Sequence, residues 1–553
     1  MEISNKKTFL DYLYHWEKTK PKEVYLKQPF GDTYRDLTWA EAADQVRRMA
    51  NFLKSQKLPE KSNIGLVSKN CAEWILTDLA IMMAGHISVP FYPTLTGDQI
   101  NHVITHSGCQ ILFVGKIDKY QELKPGIPEG ITCISFPAYN PDKAHLQWND
   151  ILKTNDPLEV NFYPDLDDIF TIIYTSGTTG NPKGVMMPYR SMSEGIYNTR
   201  HLTKLNIDAC RFFSYLPLSH IAERNVVEAG SIFSGGTVYF AESLATFAEN
   251  LRVASPTHFL AVPRIWTKFQ LGILAKMPQK NLNVLLKIPV VKNIIKKKIT
   301  AGLGLTDAVL ILTGAAPMPI TLIKWFRNLG ITIQEVYGMS ENLGAVCMMP
   351  IDNIKDGSVG KVFPKMEVKI DPDNGEILTR SPWNMYGYFK EPEMTDNTID
   401  KEGFIHTGDV GELDAEGFLK ITGRVKEMYK TSKGEYVAPA QIELGFADNE
   451  MIEQICVVGQ LLPQPIALVN LSPIGLQESR ESVTAALAKN LEELNPKLKS
   501  YEKIRKMVVL SEAWSEENNC LTPTLKIKRI VIENKFDNHF QAWYDHPNTI
   551  VWE

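Results

Sequence analysis

Along the first 420 or so positions, short runs of apolar, β-branched residues alternate with amphipathic stretches. IGLVS (64–68), CQILFVG (109–115), IFTIIYTS (169–176), TVYFA (237–241), HFLAVP (258–263) and VLILTG (309–314) each end at turn residues and read as strands. Residues 39–54 and 319–329 lie between such runs and read as amphipathic helices. Alternation of this kind predicts parallel or mixed sheets with helices on both faces. Beyond Asp371 the texture shifts to short, glycine-punctuated, hairpin-like pieces: NGEILTR, EGFIHTG and VGELDAEGFLKITG. The C-terminal remainder adds KEMYKT, QICVVGQ, PIALVNLS, a helical stretch over 478–494 and KIRKMVVL, a set suited to a small α+β unit. There is no internal repeat and no low-complexity tract.

Two stretches bear on membranes. Residues 74–90 are the most apolar span, but Asp78, Gly85 and His86 interrupt them, so they are too short and too polar to cross a bilayer. Residues 281–299 (NLNVLLKIPVVKNIIKKKI) mix aliphatics with five lysines and no acid. They suit either a membrane-surface element or a helix pair broken at Pro289 with a solvated basic face, and the second reading is preferred. The N-terminal MEISNKKTFLDYLYHWEK lacks an apolar core, so no signal peptide is expected.

Composition narrows the classes. A chain of 553 residues is too long for one ordinary domain. With Lys+Arg 59 against Asp+Glu 64, the net charge of −5 does not recommend a nucleic-acid binder. An anionic ligand would have to be held locally, by oriented backbone N–H groups and a few placed cations. Seven dispersed cysteines with no C-x-x-C pair read as reduced thiols in a cytosolic setting, not as a disulfide framework or zinc site.

The strongest chemical signal is YTSGTTGNPKG at 174–184, directly after an apolar run. Gly177, Gly180 and Gly184 permit conformations that a Cβ would forbid, Ser176, Thr178 and Thr179 add hydroxyls, and Lys183 adds a cation. A strand running into such a loop is a phosphate cradle. It is not a Walker A loop, because glycine follows Lys183 where serine or threonine should stand.

This segment resembles the phosphate loop of the adenylate-forming superfamily, which includes acyl-CoA synthetases, peptide-synthetase adenylation domains and luciferases. LPLSHIAE (216–223) and AVPRIW (261–266) are most similar to the long-chain acyl-CoA synthetase branch. TGAAPMP (313–319), EVYGMSE (335–341), GFIHTGD (403–409), ITGRVK (421–426) and LTPTLKIKR (521–529) match the family's pattern in the right order. The resemblance spans residues 30–535 or so. It implies an α/β fold: a large N-terminal domain of several α/β layers over 1–425, then a small mobile α+β domain over 426–553, hinged near Lys426.

The resemblance also implies roles. Thr175, Ser176, Gly177, Thr178, Thr179, Gly180 and Lys183 would hold the ATP phosphates, with Thr179 counted among the catalytic residues. Glu341 corresponds to the magnesium-associated glutamate, and a hard carboxylate beside polyphosphate suits that ion. Gly314, Ala315 and Ala316 would form a wall for adenine, and Tyr337, Gly338, Met339 and Ser340 would line adenine and the α-phosphate. Ser340 does not lie in a G-x-S-x-G elbow, so it is no nucleophile. Asp409 would take both ribose hydroxyls, with Arg424 adding a contact nearby. Lys526, rather than Lys528 or Arg529, aligns with the lysine that approaches the α-phosphate and carboxylate during adenylation, where it would offset developing charge. Lys430, Lys433 and Gly434 would belong to a second, CoA-side face, although Lys433 stands where relatives often have glycine. His220 would border the acyl site, or is a satisfied core histidine; Trp266 would gate or simply fill the acyl channel.

The expected activity is ATP-dependent fatty acid:CoA ligation, with a long-chain substrate preferred, ATP and CoA as substrates and Mg²⁺ as cofactor. Two alternatives stay open: a fatty acyl-AMP ligase, or an activator of aryl, amino-acid or other carboxylates, delivering to a carrier-protein thiol; and a degenerate nucleotide-binding homologue. A cytoplasmic location is expected, without nucleic acid; peripheral membrane contact and a homodimer are left open.

Overall fold

The protein is represented by a computed structural model, which describes every residue except Met1, 140–141, 176–181, Asp448, Glu516 and 523–525. An eight-stranded sheet runs in the order Gly387–Tyr388, Lys183–Pro188, Ile169–Thr175, Ile87–Phe91, Asn63–Val67, Ile111–Val114, Thr132–Ser135 and Leu146–Gln147. Its first two pairings are antiparallel and the rest parallel. The strand Ile111–Val114 is buried at every position, and Ile64–Val67 likewise, which is why these runs read as unbroken apolar blocks: helices cover both faces. The helix Trp39–Ser55, which packs on Ala72–Met83, is started by a capping box in which Thr38 N–H donates to the Glu41 carboxylate at 2.8 Å and the Thr38 hydroxyl accepts from Glu41 N–H at 3.3 Å.

A thirteen-stranded sheet has a parallel centre: Thr237–Phe240, Arg211–Ser214, His258–Leu260, Leu310–Thr313 and Gln334–Tyr337. It continues as antiparallel strands through Cys347–Met348, Gly360–Val362, Phe418–Arg424, Ile405–Leu413, Glu376–Arg380 and Glu367–Ile370. The glycine-punctuated stretch beyond Asp371 is therefore the antiparallel flank of the large sheet. The run at 258–263 is a strand only as far as Leu260, because Pro263 opens the helix Pro263–Lys276.

Among the described residues, no strand beyond Arg424 joins either sheet. The C-terminal part builds the hairpin Tyr429–Lys430/Tyr436–Val437 and a four-stranded sheet of Ile452–Val458, Ile466–Leu471, Lys506–Val509 and Ile550–Trp552, flanked by the helices Arg480–Leu494 and Arg529–Tyr544. Among the described residues, two ion pairs link it to the N-terminal part: Arg264–Glu453 at 2.5 Å and Lys119–Glu517 at 3.3 Å.

The apolar span at 74–90 is interior, since every residue of the helix Ala72–Met83 is buried. Its Asp78 meets the fully buried Arg224 at 2.5 Å, and Arg224 also donates to the Thr171 hydroxyl at 2.8 Å. That pair anchors the strand Ile169–Thr175, which leads into the phosphate-loop segment. Residues 281–299 form two helices, Gln279–Leu285 and Pro289–Gly302, broken before Pro289. Among the described residues no helix is long and apolar enough to cross a membrane.

Candidate active site

Strand pairing assembles one end of the site. Thr175 faces Lys183 across the antiparallel pair Ile169–Thr175/Lys183–Pro188, and Tyr388 faces Val185 on the other side. The Lys183 ammonium therefore lies 5.0 Å above the Tyr388 ring. The Tyr388 hydroxyl donates to the Glu341 carboxylate at 2.6 Å. Burial pulls the Lys183 pKa below its ordinary value, and nearby Glu341 partly offsets this. The Tyr388 phenol is pushed well up by burial and by Glu341. The proposed phosphate contacts Ser176, Gly177, Thr178, Thr179 and Gly180 lie outside the described residues.

Glu341 is held by its own turn. Its residue is 7% exposed, its carbonyl accepts from Met385 N–H at 2.8 Å, and Met339 N–H is capped by the Asn342 side chain at 2.8 Å. Ser340 is buried in the same turn. Gly338 is required sterically: a Cβ there would lie 2.2 Å from the Gly344 carbonyl carbon and 2.6 Å from Ala345 N. Among the described residues no group of three His, Cys, Asp or Glu could encage a metal. A single buried carboxylate with one oxygen fixed by a tyrosine suits Mg²⁺, which keeps waters and takes its remaining ligands from substrate phosphates.

The other end is built by Tyr337, Asp409 and Arg424. Asp409 and Arg424 are directly opposed in the ladder between Ile405–Leu413 and Phe418–Arg424. Arg424 Nε donates to one Asp409 oxygen at 2.9 Å, and the Tyr337 hydroxyl donates to the other at 2.6 Å. The HTGD turn is braced from Glu376, which accepts from Gly408 N–H at 2.7 Å and pairs with His406 at 3.0 Å. Gly314 is buried against the strand Gln334–Tyr337, where an added Cβ would strike the Val336 carbonyl oxygen at 2.9 Å. Ala315 follows with φ +66°, a left-handed conformation costly for a residue with a Cβ, and Ala316 is exposed.

Lys526 reaches this end from the C-terminal part. A bridge between Leu521 and Ile527 closes its loop, and Lys526 N–H donates to the Thr522 hydroxyl at 3.0 Å. The Lys526 residue is exposed. Desolvation and repulsion by Arg424 pull its pKa down to about 8, while Asp409 and Glu427 act the other way. Burial, then Lys526, lower the His220 pKa to about 3. His220 Nδ1 accepts from Ala222 N–H at 3.2 Å, so its proton sits on Nε2. The other basic residues of this tail hold the scaffold: Arg529 is buried against Glu443 at 2.7 Å and the Val457 carbonyl at 2.6 Å, and Lys528 bonds Asn519 at 2.5 Å.

The remaining expected positions lie further out. Lys426 is exposed, two residues past Arg424, and close enough to Lys183 to lower its pKa. Lys430, Lys433 and Gly434 lie on an exposed hairpin, with Lys430 over the Tyr436 ring at 4.8 Å and Gly434 at φ +83°. Trp266 is fully buried against Phe259, Phe269 and Phe326, and its indole N–H donates to the Ala261 carbonyl at 3.2 Å, the packing of a filler. Sequence reasoning missed two residues. Tyr388 holds Glu341, and Glu223, in the same segment as His220, accepts from the Ser214 hydroxyl and Tyr215 N–H, each at 2.9 Å.

Residues 13–389 match the AMP-binding enzyme family and residues 427–548 match the AMP-binding enzyme C-terminal domain. The chain is 28% identical to long-chain-fatty-acid–CoA ligase FadD15 of Mycobacterium tuberculosis, over 96% of each chain. It is 26% identical to long-chain-fatty-acid–CoA ligase 1 of Homo sapiens, over 92% of this chain and 82% of that one. Its fold is similar to that of the anthranilate CoA ligase AuaEII in complex with anthranoyl-AMP (TM-score 0.78, 19% identity, 98% of this chain and 99% of that one). It is also similar to the adenylation domain of a carboxylate reductase from Mycobacterium chelonae (TM-score 0.81, 20% identity, 98% and 91%). With family matches over residues 13–389 and 427–548, the chain belongs to the AMP-binding enzyme family.

Proposed function

We propose that the protein is an acid–thiol ligase that activates a fatty acid, preferentially long-chain, with ATP and transfers the acyl group to CoA. What supports this reading is the pairing of Lys183, Tyr388 and Glu341 in one cluster, of Tyr337, Asp409 and Arg424 in a second that starts four residues before Glu341, and the approach of Lys526 from the C-terminal part to within electrostatic reach of Arg424 and Asp409. Lys183 pairs with polyphosphate charge, Asp409 accepts from the ribose hydroxyls, and Gly314 and Ala315 leave room for adenine. Glu341 would hold Mg²⁺, which when bound neutralises phosphate charge. A fatty carboxylate oxygen attacks the α-phosphorus in line, forming the acyl–O–P bond as the bond to pyrophosphate breaks. Lys526 offsets the charge that accumulates where the two anions meet. The CoA sulfur then attacks the acyl carbonyl, its proton passes to solvent, and AMP leaves.

The two half-reactions need different partners beside one nucleotide. Residues 1–425 and 426–553 act as two domains, and rotation about Lys426 withdraws Lys526 and presents the Lys430–Lys433–Gly434 hairpin to CoA. The long-chain preference draws support from the LPLSHIAE and AVPRIW segments and from the named activities of the relatives. The test is AMP release with ATP and CoA across short-chain, long-chain and aryl carboxylates. Long-chain acids should give the highest kcat/KM, whereas release with aryl acids alone, or with none, would overturn the proposal.

A further inference from the structure

The helix pair Gln279–Leu285/Pro289–Gly302 holds its apolar residues in an unusual place. Among the fourteen residues of Pro289–Gly302, none is buried. Val290 is 74% exposed and Ile294 50%; in the preceding helix Val284 is 57% exposed, and at the break between the two Ile288 is 45% exposed. Val290 and Ile294 lie four apart and so share one helix face, with Lys297 and Lys298 just beyond Ile294 and Lys287 before Val290. Lys287, Lys292, Lys297 and Lys298 are all exposed, and no acid falls within 281–299. Asn283, Leu286, Lys287, Lys292 and Asn328 line an open groove of about 340 Å³.

The pair is nevertheless fixed to the body of the protein. Leu282 is buried, Ile299 packs on the core beneath, and Trp325 Nε1 donates to the Gln279 side chain at 2.8 Å. A solvated basic face would need the lysines alone. Exposed aliphatics interleaved with lysines that can extend their ammoniums past them match an interface with hydrocarbon on one side and anionic charge at its rim. The chain carries a net charge of −5, so this cluster is a local exception to its overall charge.

We propose that this helix pair docks the protein on a bilayer containing anionic phospholipid. Val284, Ile288, Val290 and Ile294 enter the acyl boundary while Lys287, Lys292, Lys297 and Lys298 pair with lipid phosphates, two of them at the mouth of the Asn283–Asn328 groove. The element lies on the membrane rather than spanning it. This inference does not rest on the ligase reading, because binding is measured without substrate.

The test is sedimentation of the full-length protein with phosphatidylcholine vesicles, with and without about 30 mol% phosphatidylglycerol. The protein should bind the anionic vesicles and not the neutral ones. A variant combining K287Q, K292Q, K297Q and K298Q should lose about a hundredfold or more in partition coefficient, at roughly fivefold per lysine. The V290S/I294S variant should lose about tenfold or more. Thermal unfolding of both variants should match the parent, since the changed side chains are surface groups. Equal binding to neutral and anionic vesicles, or full binding by the lysine variant, would overturn the proposal. Undiminished binding by V290S/I294S would also overturn it, since contact would then be electrostatic alone with no entry into the acyl boundary.

Discussion

The Lys526 ammonium sets a pH dependence that can be worked from the structure. Desolvation, then repulsion from Arg424, bring its pKa from 10.5 to about 8 despite attraction by Asp409 and Glu427. The charged form is the one that can offset developing negative charge, so adenylation weakens as pH rises through that value. Roughly nine-tenths of the free enzyme carries the charge at about pH 7 and roughly one-tenth at about pH 9, so kcat/KM for adenylation should fall about tenfold per unit above 8. Bound ATP places anionic phosphates beside the ammonium and favours its charged form. The corresponding limb in kcat should therefore lie at higher pH than the limb in kcat/KM. The assay is pyrophosphate release without CoA, from neutral to alkaline pH, with conversion of preformed acyl-AMP to acyl-CoA measured in parallel. Lys526→Ala should lower adenylation by about 10²–10³-fold and abolish the alkaline limb, while leaving the second half-reaction intact. An alkaline limb that persists in Lys526→Ala, or equal loss of both half-reactions, would refute the assignment.

Three other perturbations probe neighbouring features. Tyr388→Phe removes the 2.6 Å hydrogen bond to Glu341 and should raise the Mg²⁺ concentration for half-maximal adenylation about tenfold or more; an unchanged magnesium titration would refute that support role. Burial pushes the Glu223 carboxyl up to about 8, so the folded protein holds a proton that the unfolded chain releases near 4.5, and the stability this confers is lost as pH rises from 4.5 to about 8. Glu223→Gln should flatten that slope in urea unfolding, whereas Glu223→Ala, leaving Ser214 and Tyr215 donors unmatched, should cost roughly 3 kcal/mol; parallel slopes in Glu223→Gln and the parent would count against the shift. The Arg264–Glu453 pair is 40% and 33% exposed, so its loss in Glu453→Ala is worth about 1 kcal/mol at most. Single-turnover adenylation should slow by no more than about fivefold, without slowing thioester formation; matched slowing of both would remove the pair's role in holding the Lys526-presenting orientation.

Much of this was legible in the chain because it is local. Strands with mostly buried positions leave apolar runs, and the runs at 64–68, 109–115, 169–176, 237–241 and 309–314 hold the strands Asn63–Val67, Ile111–Val114, Ile169–Thr175, Thr237–Phe240 and Leu310–Thr313. Pro289 marks a real helix break. What stayed hidden depends on pairings across long sequence separations. Tyr388 lies on a two-residue strand with no periodic signature, and it matters only because that strand lies beside Lys183–Pro188. Arg224 reads as an ordinary helical arginine until Asp78, 146 positions away, is brought against it. The exposure of Val290 and Ile294 was equally unreadable, since a helix's own sequence does not say which face the rest of the protein will cover.

The central claim is that catalysis proceeds through an acyl adenylate made in this cleft. The most direct measurement is mass spectrometry of the enzyme incubated with ATP, Mg²⁺ and palmitate without CoA, followed by addition of CoA. Palmitoyl-AMP and pyrophosphate should form first, and CoA should then convert the adenylate to palmitoyl-CoA and AMP. ADP and phosphate in place of AMP and pyrophosphate, or an adenylate that CoA leaves untouched, would contradict the account.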